Sequence, residues 1–146
     1  MNYDSLKLEN QLCFPLYACS RQIIKLYKPF LDPLGLTYTQ YITLMALWEK
    51  DNITVKELGY LLFLDSGTLT PVLKKLETQG IVTRKRSEDD ERNVYIKLTK
   101  EGIELKDKAV SVPKSMANCI PLSSEDAKNL HRILHKILEI DMVAHE

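Results

Sequence analysis

The chain has 146 residues, of which 45% are hydrophobic and 27% are charged, values typical of a globular protein and not of a disordered one. Twenty basic and twenty acidic side chains give a formal net charge of zero, so no strong overall field attracts a polyanion. Any nucleic-acid binding must come from a local excess of basic residues. The length suits one domain with a substantial core, and we expect residues 1–146 to form a single domain.

The sequence shows no targeting signal or membrane segment. No basic region leads into an apolar run near the N-terminus, and no segment approaches the roughly 20 apolar residues that span a bilayer. We therefore expect a cytoplasmic protein with no membrane partner.

Cysteines and histidines do not form a recognisable metal site. Cys13, Cys19 and Cys119 are too few and too scattered for a disulfide scaffold or a zinc spacing. His131 and His135 lie four residues apart on a predicted helix, but no glutamate stands between them in the HExxH arrangement. Two surface histidines explain that spacing better than a metal pair, and His145 adds no motif. We predict no metal and no cofactor.

Two helices are predicted in the N-terminal third. Apolar residues recur at nearly helical spacing from Leu8 to Leu31, and the segment 32–35, Asp-Pro-Leu-Gly, ends that helix. Pro15 is tolerable only if the helix starts about a turn earlier. The segment 37–40, Thr-Tyr-Thr-Gln, has capping-box spacing and opens a strongly apolar helix that reaches Trp48 and is expected to be central.

The middle of the chain predicts a helix-turn-helix. Residues 53–54 suit a short strand, Thr54 caps a helix over 55–62, and residues 63–65 form the turn. A second helix runs from Ser66 to about Gln79, with leucines at helical spacing and Gly80 placed for a left-handed C-terminal cap. Pro71 lacks the N–H that would bond back to Gly67, so we expect a local bend.

The outward face of this second helix suits a DNA major groove. With the leucines turned inward, its polar residues are left outside: Ser66, Thr68, Thr70, Lys74 and Lys75. Short hydroxyls near the start and cations further along match a helix whose N-terminal end enters the groove, although a plain solvated surface could look alike. Residues 74–100 carry eight cations against five acids, a modest local surplus.

A two-stranded ribbon follows. Residues 81–86 and 94–98 alternate in polarity, and the tip between them contains Arg84, Arg86, Asp90 and Arg92 among four cations and four carboxylates. The fold class expected is mainly α with a small β wing, a winged helix-turn-helix over about 37–98.

Beyond the winged unit, Thr99 caps a helix predicted over 100–117, and Ser123 starts another that runs to about Ala144. With the first helix, these amphipathic segments (about 5–34 and 100–144) are predicted to bury each other and a second subunit.

The sequence resembles the MarR family, and within it the organic hydroperoxide-sensing OhrR branch. The resemblance rests on the stretch DSGTLTP at 65–71, the tripeptide DER at 90–92, and Leu12-Cys13-Phe14 with Tyr17. It implies a homodimer on a pseudo-palindromic operator, with the recognition helix in the major groove and the wing in the minor groove. It also implies that Arg92 enters the minor groove while Asp90 orients it. The predicted DNA-binding residues are Ser66, Thr68, Thr70, Pro71, Lys74, Lys75, Arg84, Arg86, Asp90 and Arg92.

The same resemblance implies that Cys13 is a redox sensor surrounded by Tyr17, Tyr27 and Tyr38. Tyr17 lies four residues after Cys13, on the same helical face, whereas Tyr27 lies about 21 Å further along. Two first helices crossing about a two-fold axis would bring Tyr27 to the partner's Cys13, so the arrangement favours a dimer. Hydroxyls donated to the sulfur would favour the reactive thiolate. The alternative is that Cys13 is a small buried hydrophobe and that the tyrosines only pack.

The chemistry after oxidation is open at this point. Cys19 is six residues from Cys13, on the far side of the helix, so the two cannot bridge without unwinding. Cys119 lies where two-cysteine members of the branch have a resolving cysteine on the other subunit, and it completes the predicted redox pair. The alternative is ordinary packing of Cys119, with a low-molecular-weight thiol finishing the reaction.

Three functions are compatible with these features. The first is a DNA-binding regulator, expected to be a repressor, that leaves its operator when Cys13 is oxidised by an organic hydroperoxide. The second is a MarR-type regulator switched by a small aromatic ligand. The third is a thiol peroxidase, which is disfavoured because no CxxC motif accompanies Cys13 and because an enzyme needs no basic winged unit.

Overall fold

The computed structural model describes residues 1–140 and contains mostly helices with one small sheet. In chain order the helices and strands are α1 (Cys13–Leu31), α2 (Tyr38–Glu49), β1 (Ile53–Thr54), α3 (Val55–Leu62), α4 (Ser66–Thr78), β2 (Val82–Arg86), β3 (Val94–Leu98), α5 (Lys100–Ala109), α6 (Val112–Ala117) and α7 (Ser124–Leu138). The sheet is antiparallel with the order β1-β3-β2. The predicted fold class, mainly helical with a β wing, is confirmed.

Helix α1 begins at Cys13, so its predicted start at Leu8 is wrong. Two 3₁₀ turns, Asp4–Leu6 and Leu8–Asn10, precede it. Pro15 is the third residue of α1, where its missing N–H has no helical partner to lose, so a start at Cys13 accommodates the proline at little cost. The helix ends at Leu31, as predicted, and Gly35 takes a left-handed conformation with φ 68° after a 3₁₀ turn.

Helix α2 is the central helix, as predicted. Thr37 and Gln40 form a complete capping box, in which the Thr37 hydroxyl accepts from the Gln40 N–H and the Gln40 side chain accepts from the Thr37 N–H. Tyr41, Leu44 and Leu47 are buried in the core.

The helix-turn-helix forms where the sequence predicts it. Ile53 pairs with Ile96 and Thr54 with Tyr95, which confirms the short third strand. Thr54 caps α3, and Phe63 adopts a left-handed conformation with φ 53° in the turn between α3 and α4. A side chain at Gly59 would collide with the Leu64 carbonyl, 2.6 Å from the position of its Cβ, so glycine permits the close approach of α3 to this turn.

The wing is a regular antiparallel ribbon. Val82 lies opposite Leu98 and Arg86 opposite Val94, so β2 begins one residue later than predicted while β3 has the predicted bounds. Val82, Ile96 and Leu98 point into the core, and Thr83, Lys85 and Lys97 are exposed. The ribbon is therefore rooted in the core through one face only.

The predicted helix over 100–117 is wrong as a single helix, because it is broken into α5 and α6 at residues 110–111. Pro113 cannot donate to the Ala109 carbonyl, and it occupies the first turn of α6, where no such bond is needed. Helix α7 starts at its predicted cap, Ser123, but ends at Leu138. The prediction of helix at residues 139–140 is wrong, and residues 141–144 lie outside the described part of the chain.

Helix α7 exposes an apolar stripe. It has no buried residue, and 42–46% of each of four large apolar side chains is exposed: Leu130, Ile133, Ile137 and Leu138. Helix α1 likewise exposes Phe14, Leu16 and Ile24, although it packs against α2 and α6 further along. No helix within residues 1–140 is both long enough and apolar enough to cross a membrane.

Candidate nucleic-acid interface and cysteine site

The N-terminus of α4 is fixed by a side-chain cap. The Asp65 carboxylate accepts hydrogen bonds from the Thr68 N–H at 2.8 Å and from the Thr68 hydroxyl at 3.0 Å. These two bonds lower the pKa of Asp65, so the cap is a charged carboxylate at neutral pH. On the inner side Leu69, Leu73 and Leu76 are fully buried. The cap and the leucines together hold one face of α4 outward.

That outward face carries most of the residues predicted to contact DNA. Ser66, Thr68, Pro71, Lys74 and Lys75 are exposed. Thr70 is half-buried, and its hydroxyl donates to the Ser66 carbonyl at 2.7 Å instead of pointing away from the helix. Helix α4 continues through Pro71, and the local bend expected there stays a prediction.

Two of the predicted wing cations are held by the protein itself. The Arg84 Nε donates to the Glu77 carboxylate at 3.0 Å, and 26% of the Arg84 side chain is exposed, so this pair braces β2 against α4. The Arg86 Nη1 donates to the Glu91 carbonyl at 3.1 Å and closes the wing tip. Both residues therefore have a structural role, and their predicted contact with DNA stays a prediction.

Asp90 and Arg92 form the clearest preorganised group of the wing. The Arg92 Nε and Nη2 each donate to a different oxygen of Asp90 at 3.0 Å, while the Arg92 backbone N–H donates to the same carboxylate at 3.2 Å. Asp90 is half-buried and 90% of the Arg92 side chain is exposed. The pair lowers the pKa of Asp90 and raises the pKa of Arg92 through these hydrogen bonds, so both groups are charged at neutral pH. This geometry is compatible with the orientation of Arg92 by Asp90 that the family resemblance implies, and the contact of Arg92 with DNA stays a prediction.

Cys13 is the first residue of α1 and is exposed in the single chain. One turn later, Tyr17 is 59% exposed, and its hydroxyl accepts from the Arg21 Nη1 at 3.3 Å. The Arg21 guanidinium carbon also lies 5.6 Å from the centre of the Tyr17 ring. Cys13 is therefore not the small buried hydrophobe of the alternative interpretation, at least within one chain.

Tyr27 and Tyr38 lie in a separate tyrosine cluster at the far end of α1. Their ring centres are 4.8 Å apart, and the ring of Tyr41 lies 5.8 Å from that of Tyr27. Burial raises the pKa of all three phenols, and mutual repulsion of the charged forms adds to the effect at Tyr27 and Tyr41. The phenols consequently stay protonated at neutral pH and can donate O–H hydrogen bonds.

The remaining cysteines are also exposed and reduced. Cys119 follows α6, and its thiol donates to the Ser115 carbonyl at 3.4 Å. Cys19 lies on α1 and is free.

The histidine pair forms no larger metal cluster. His131 and His135 place their Nε2 atoms 3.0 Å apart on the exposed surface of α7. Within residues 1–140 no group of three or more histidine, cysteine or carboxylate ligands comes together. His145 lies outside the described residues.

Comparison with known proteins identifies the family. The model of the SarA/Rot transcriptional regulators matches residues 25–109. An organic hydroperoxide resistance transcriptional regulator of Bacillus subtilis (strain 168) is 55% identical over 137 residues, which are 94% of this chain and 93% of that protein. The chain belongs to the OhrR branch of the MarR family of transcriptional regulators.

Solved structures of AbfR from Staphylococcus epidermidis are similar to this chain in sequence and in fold. Reduced AbfR bound to DNA is 36% identical with a TM-score of 0.75, covering 92% of this chain and 94% of that one. Disulfide-formed AbfR, also 36% identical, has a TM-score of 0.64 and covers 93% and 96%. Overoxidised AbfR bound to DNA has the same TM-score as the reduced complex, 0.75, so the shape of this chain is nearer to both DNA-bound structures than to the disulfide-formed one.

Two features of this MarR-family site were missed from the sequence. Tyr41, the third member of the tyrosine cluster, lies three residues after Tyr38 and so shares its helical face, a spacing that could have predicted it. Arg21 lies four residues after Tyr17 and contacts its hydroxyl, which the same rule would have found.

Proposed function

We propose that this protein is a redox-sensing repressor that binds duplex DNA as a homodimer and leaves its operator when an organic hydroperoxide oxidises Cys13. The observation that carries the proposal is the presence, in one MarR-family chain, of a wing with a clamped arginine and of an exposed cysteine at the start of α1. The first group suits DNA binding, and the second suits reaction with an oxidant.

Helix α4 and the wing supply the DNA contacts in this proposal. The exposed N-terminal half of α4 enters the major groove with Ser66, Thr68 and Pro71, and Lys75 binds phosphate. Arg92 enters the adjacent minor groove. Two of its five N–H groups are committed to Asp90, so three remain to reach acceptors on the bases.

A homodimer fits the faces that the single chain leaves exposed. The apolar stripe of α7 and the exposed apolar residues of α1 lie outside the winged unit of residues 37–98, which matches the division into a winged unit and dimerisation helices at about 5–34 and 100–144. A two-fold dimer presents two copies of α4, and the operator should accordingly be a pseudo-palindrome.

The dimer also completes the sensor. Cys13 and Tyr27 lie about 21 Å apart along one α1, so the tyrosine cluster of one subunit serves the cysteine of the other. Phenol O–H groups that donate to the sulfur stabilise the thiolate. The thiolate attacks the terminal oxygen of the hydroperoxide, an S–O bond forms as the O–O bond breaks, and the departing alkoxide takes a proton to become an alcohol.

Cys119 of the partner is the proposed second reactant. Its thiol condenses with the sulfenic acid of Cys13, forming an S–S bond and releasing water. The product is a covalent dimer in which each bridge needs one oxidation event. We propose a switch and not a peroxidase, because a peroxidase would not need the winged unit, and we place its action in the cytoplasm.

The deciding experiment measures binding to the DNA upstream of the protein's own gene before and after one equivalent of organic hydroperoxide per subunit. We expect tight binding by the reduced protein and release by the oxidised protein. Binding that oxidation leaves unchanged would refute the redox switch, and release by a small aromatic acid in its place would support the ligand-responsive alternative. Many peroxide turnovers per subunit with a thiol reductant, without DNA binding, would instead support a peroxidase.

A further inference from the structure

A chain of side-chain amides joins three separate parts of the fold. The Thr37 N–H donates to the Gln40 Oε1 at 2.8 Å, and the Gln40 Nε2 donates to the Gln79 Oε1 at 3.2 Å. The Gln79 Nε2 in turn donates to the Gly35 carbonyl at 3.0 Å. We call these four residues the amide bridge. It connects the turn after α1, the first turn of α2 and Gln79, the C-cap of the recognition helix α4.

The direction of every bond in the amide bridge is fixed. Because the Thr37 N–H can only donate, the atom it meets must be the oxygen of the Gln40 amide, which leaves the Gln40 nitrogen facing Gln79. The Gln79 amide then presents its oxygen to Gln40 and its nitrogen to the Gly35 carbonyl. Gln40 is 2% exposed, so breaking this chain would leave a buried polar group without a partner.

One end of the amide bridge abuts the tyrosine cluster. Thr37 is the N-cap of α2, and the ring of the next residue, Tyr38, lies 4.8 Å from that of Tyr27, with the two planes tilted by 50°. Gly35 lies at the opposite side of the same short turn, where its left-handed conformation ends the 3₁₀ turn after α1. A rearrangement of the tyrosine cluster that moves the backbone at Tyr38 would also move the adjacent Thr37 N–H, to which the bridge is attached.

The other end lies at the C-terminal turn of the recognition helix, which makes several contacts with other elements. Gln79 is the C-cap of α4. Glu77, two residues earlier, is paired with Arg84 of the wing, and the carbonyl of Gly80 accepts from the Thr99 hydroxyl of α5 at 2.6 Å. The C-terminal turn of α4 is thus tied to the wing, to α5 and to the amide bridge. A displacement of this turn moves α4 and the wing together.

We infer that Gln79 is a positioning residue that couples the tyrosine cluster to α4, so that rearrangement of the cysteine pocket on oxidation is transmitted to the DNA-binding face through the amide bridge. The inference rests on the proposed function. It adds the route by which the sensor acts on the recognition helix within one subunit. Neither Gln40 nor Gln79 contacts the cysteine or belongs to the predicted DNA-binding set.

The test compares Gln79→Met with Thr78→Val as a matched control. Methionine keeps the length of the side chain and removes both hydrogen bonds of the Gln79 amide. Thr78→Val removes only the hydrogen bond from the Thr78 hydroxyl to the Lys74 carbonyl within α4. Operator affinity is measured by fluorescence anisotropy for the reduced and the peroxide-treated protein, and the ratio of the two affinities is the readout. The rate at which Cys13 loses its thiol is measured in parallel.

We expect Gln79→Met to lower the ratio of reduced to oxidised affinity by roughly two- to thirtyfold, the range for residues along coupling networks, with an unchanged rate of Cys13 oxidation. The control should keep the wild-type ratio. An equal loss of affinity in both redox states would show that Gln79 is only a brace and would overturn the inference. A wild-type protein that does not release DNA on oxidation would refute the proposed function instead, which separates the two failures.

A second variant keeps the inference testable if Gln79→Met folds poorly. Gln79→Glu retains an acceptor for the Gln40 amide, but it replaces the donor to the Gly35 carbonyl with a carboxylate oxygen, which that carbonyl repels. It should lower the same ratio, and an unchanged ratio would argue against the bond to Gly35 as part of the route.

Discussion

The Arg92 guanidinium donates two hydrogen bonds of 3.0 Å to the carboxylate of Asp90, two residues earlier, although 90% of the arginine side chain is exposed. A free arginine on a wing tip would lose considerable rotamer entropy on entering a groove. Here much of that ordering occurs before DNA arrives. We expect this ordering to outweigh the repulsion between the Asp90 carboxylate and phosphate.

Arg92→Ala should weaken operator binding by about 1–3 kcal/mol, because it removes a preorganised groove contact. The measurement is a titration of labelled operator at fixed salt. Lys108→Ala is the matched control, since it removes one positive charge from an exposed residue of α5 outside residues 74–100. Wild-type affinity of Arg92→Ala would show that the wing does not contact DNA through this residue.

The clamp, meaning the hydrogen-bonded pair of Asp90 and Arg92, should break only under acidic conditions. Hydrogen bonds from Arg92 lower the pKa of Asp90 below its ordinary value of 3.8, so the clamp is complete above that value and is lost as the pH falls through the lowered pKa. Carboxyl NMR titration should therefore find a depressed pKa for Asp90 that rises again in Arg92→Ala. Equal pKa values in the two proteins would mean that the clamp does not persist in solution.

Lys75→Ala should act differently from Arg92→Ala. As an exposed phosphate contact on α4, Lys75 should contribute the same affinity to every DNA sequence, and its removal should lower the salt dependence of binding by about one unit of slope. Affinities for operator and random duplexes between 50 and 200 mM salt, about the range over which such contacts are resolved, provide the measurement. A loss confined to the operator would instead assign Lys75 to base recognition.

Cys13→Ser should bind DNA like the reduced wild type and should stay bound after peroxide treatment, because serine keeps the shape of cysteine and lacks its redox chemistry. Cys19→Ser is the control and should be released normally, since Cys19 lies six residues further along α1. Release of Cys13→Ser at the wild-type dose would transfer the sensing role to another cysteine.

Oxidised wild type should run as a covalent dimer on a non-reducing gel, whereas Cys119→Ser should run as a monomer. A bridge between Cys13 and the partner's Cys119 requires Cα atoms about 4.4–6.8 Å apart, so its formation should pull the segment after α6 toward the partner's α1. Release of DNA by a wild-type protein that stays monomeric on the gel would favour completion by a small thiol. A hundredfold loss of affinity needs about 2.7 kcal/mol of coupling, which one such bond can supply.

Local signals in the sequence predicted the winged unit well, because each of its boundaries is set by nearby residues. The Thr54 cap, the buried leucines of α4 and the left-handed Gly80 all appear where the pattern places them. The errors have local causes too. The amphipathic spacing over 100–117 predicts one helix, but Pro113 cannot continue it and lies in the first turn of a separate helix, α6.

The candidate site was less predictable, because its contacts join residues far apart in the chain. Gln40 and Gln79 are 39 positions apart, and no periodic pattern links two glutamines on different helices. The pairing of Arg84 with Glu77 likewise depends on how β2 folds back on α4, so counting cations in the wing overestimated how many are free for DNA.

The exposed apolar stripe of α7 should make the stability of a subunit in the cell depend on dimerisation. A helix with no buried residue adds little apolar burial to an isolated chain, so a newly made subunit should gain further stability when it meets a second copy. Unpaired subunits would be the first targets of proteases, and the amount of active repressor would fall more steeply than its rate of synthesis. At low rates of synthesis, dimer assembly would therefore determine how much of the protein survives, independently of any oxidant.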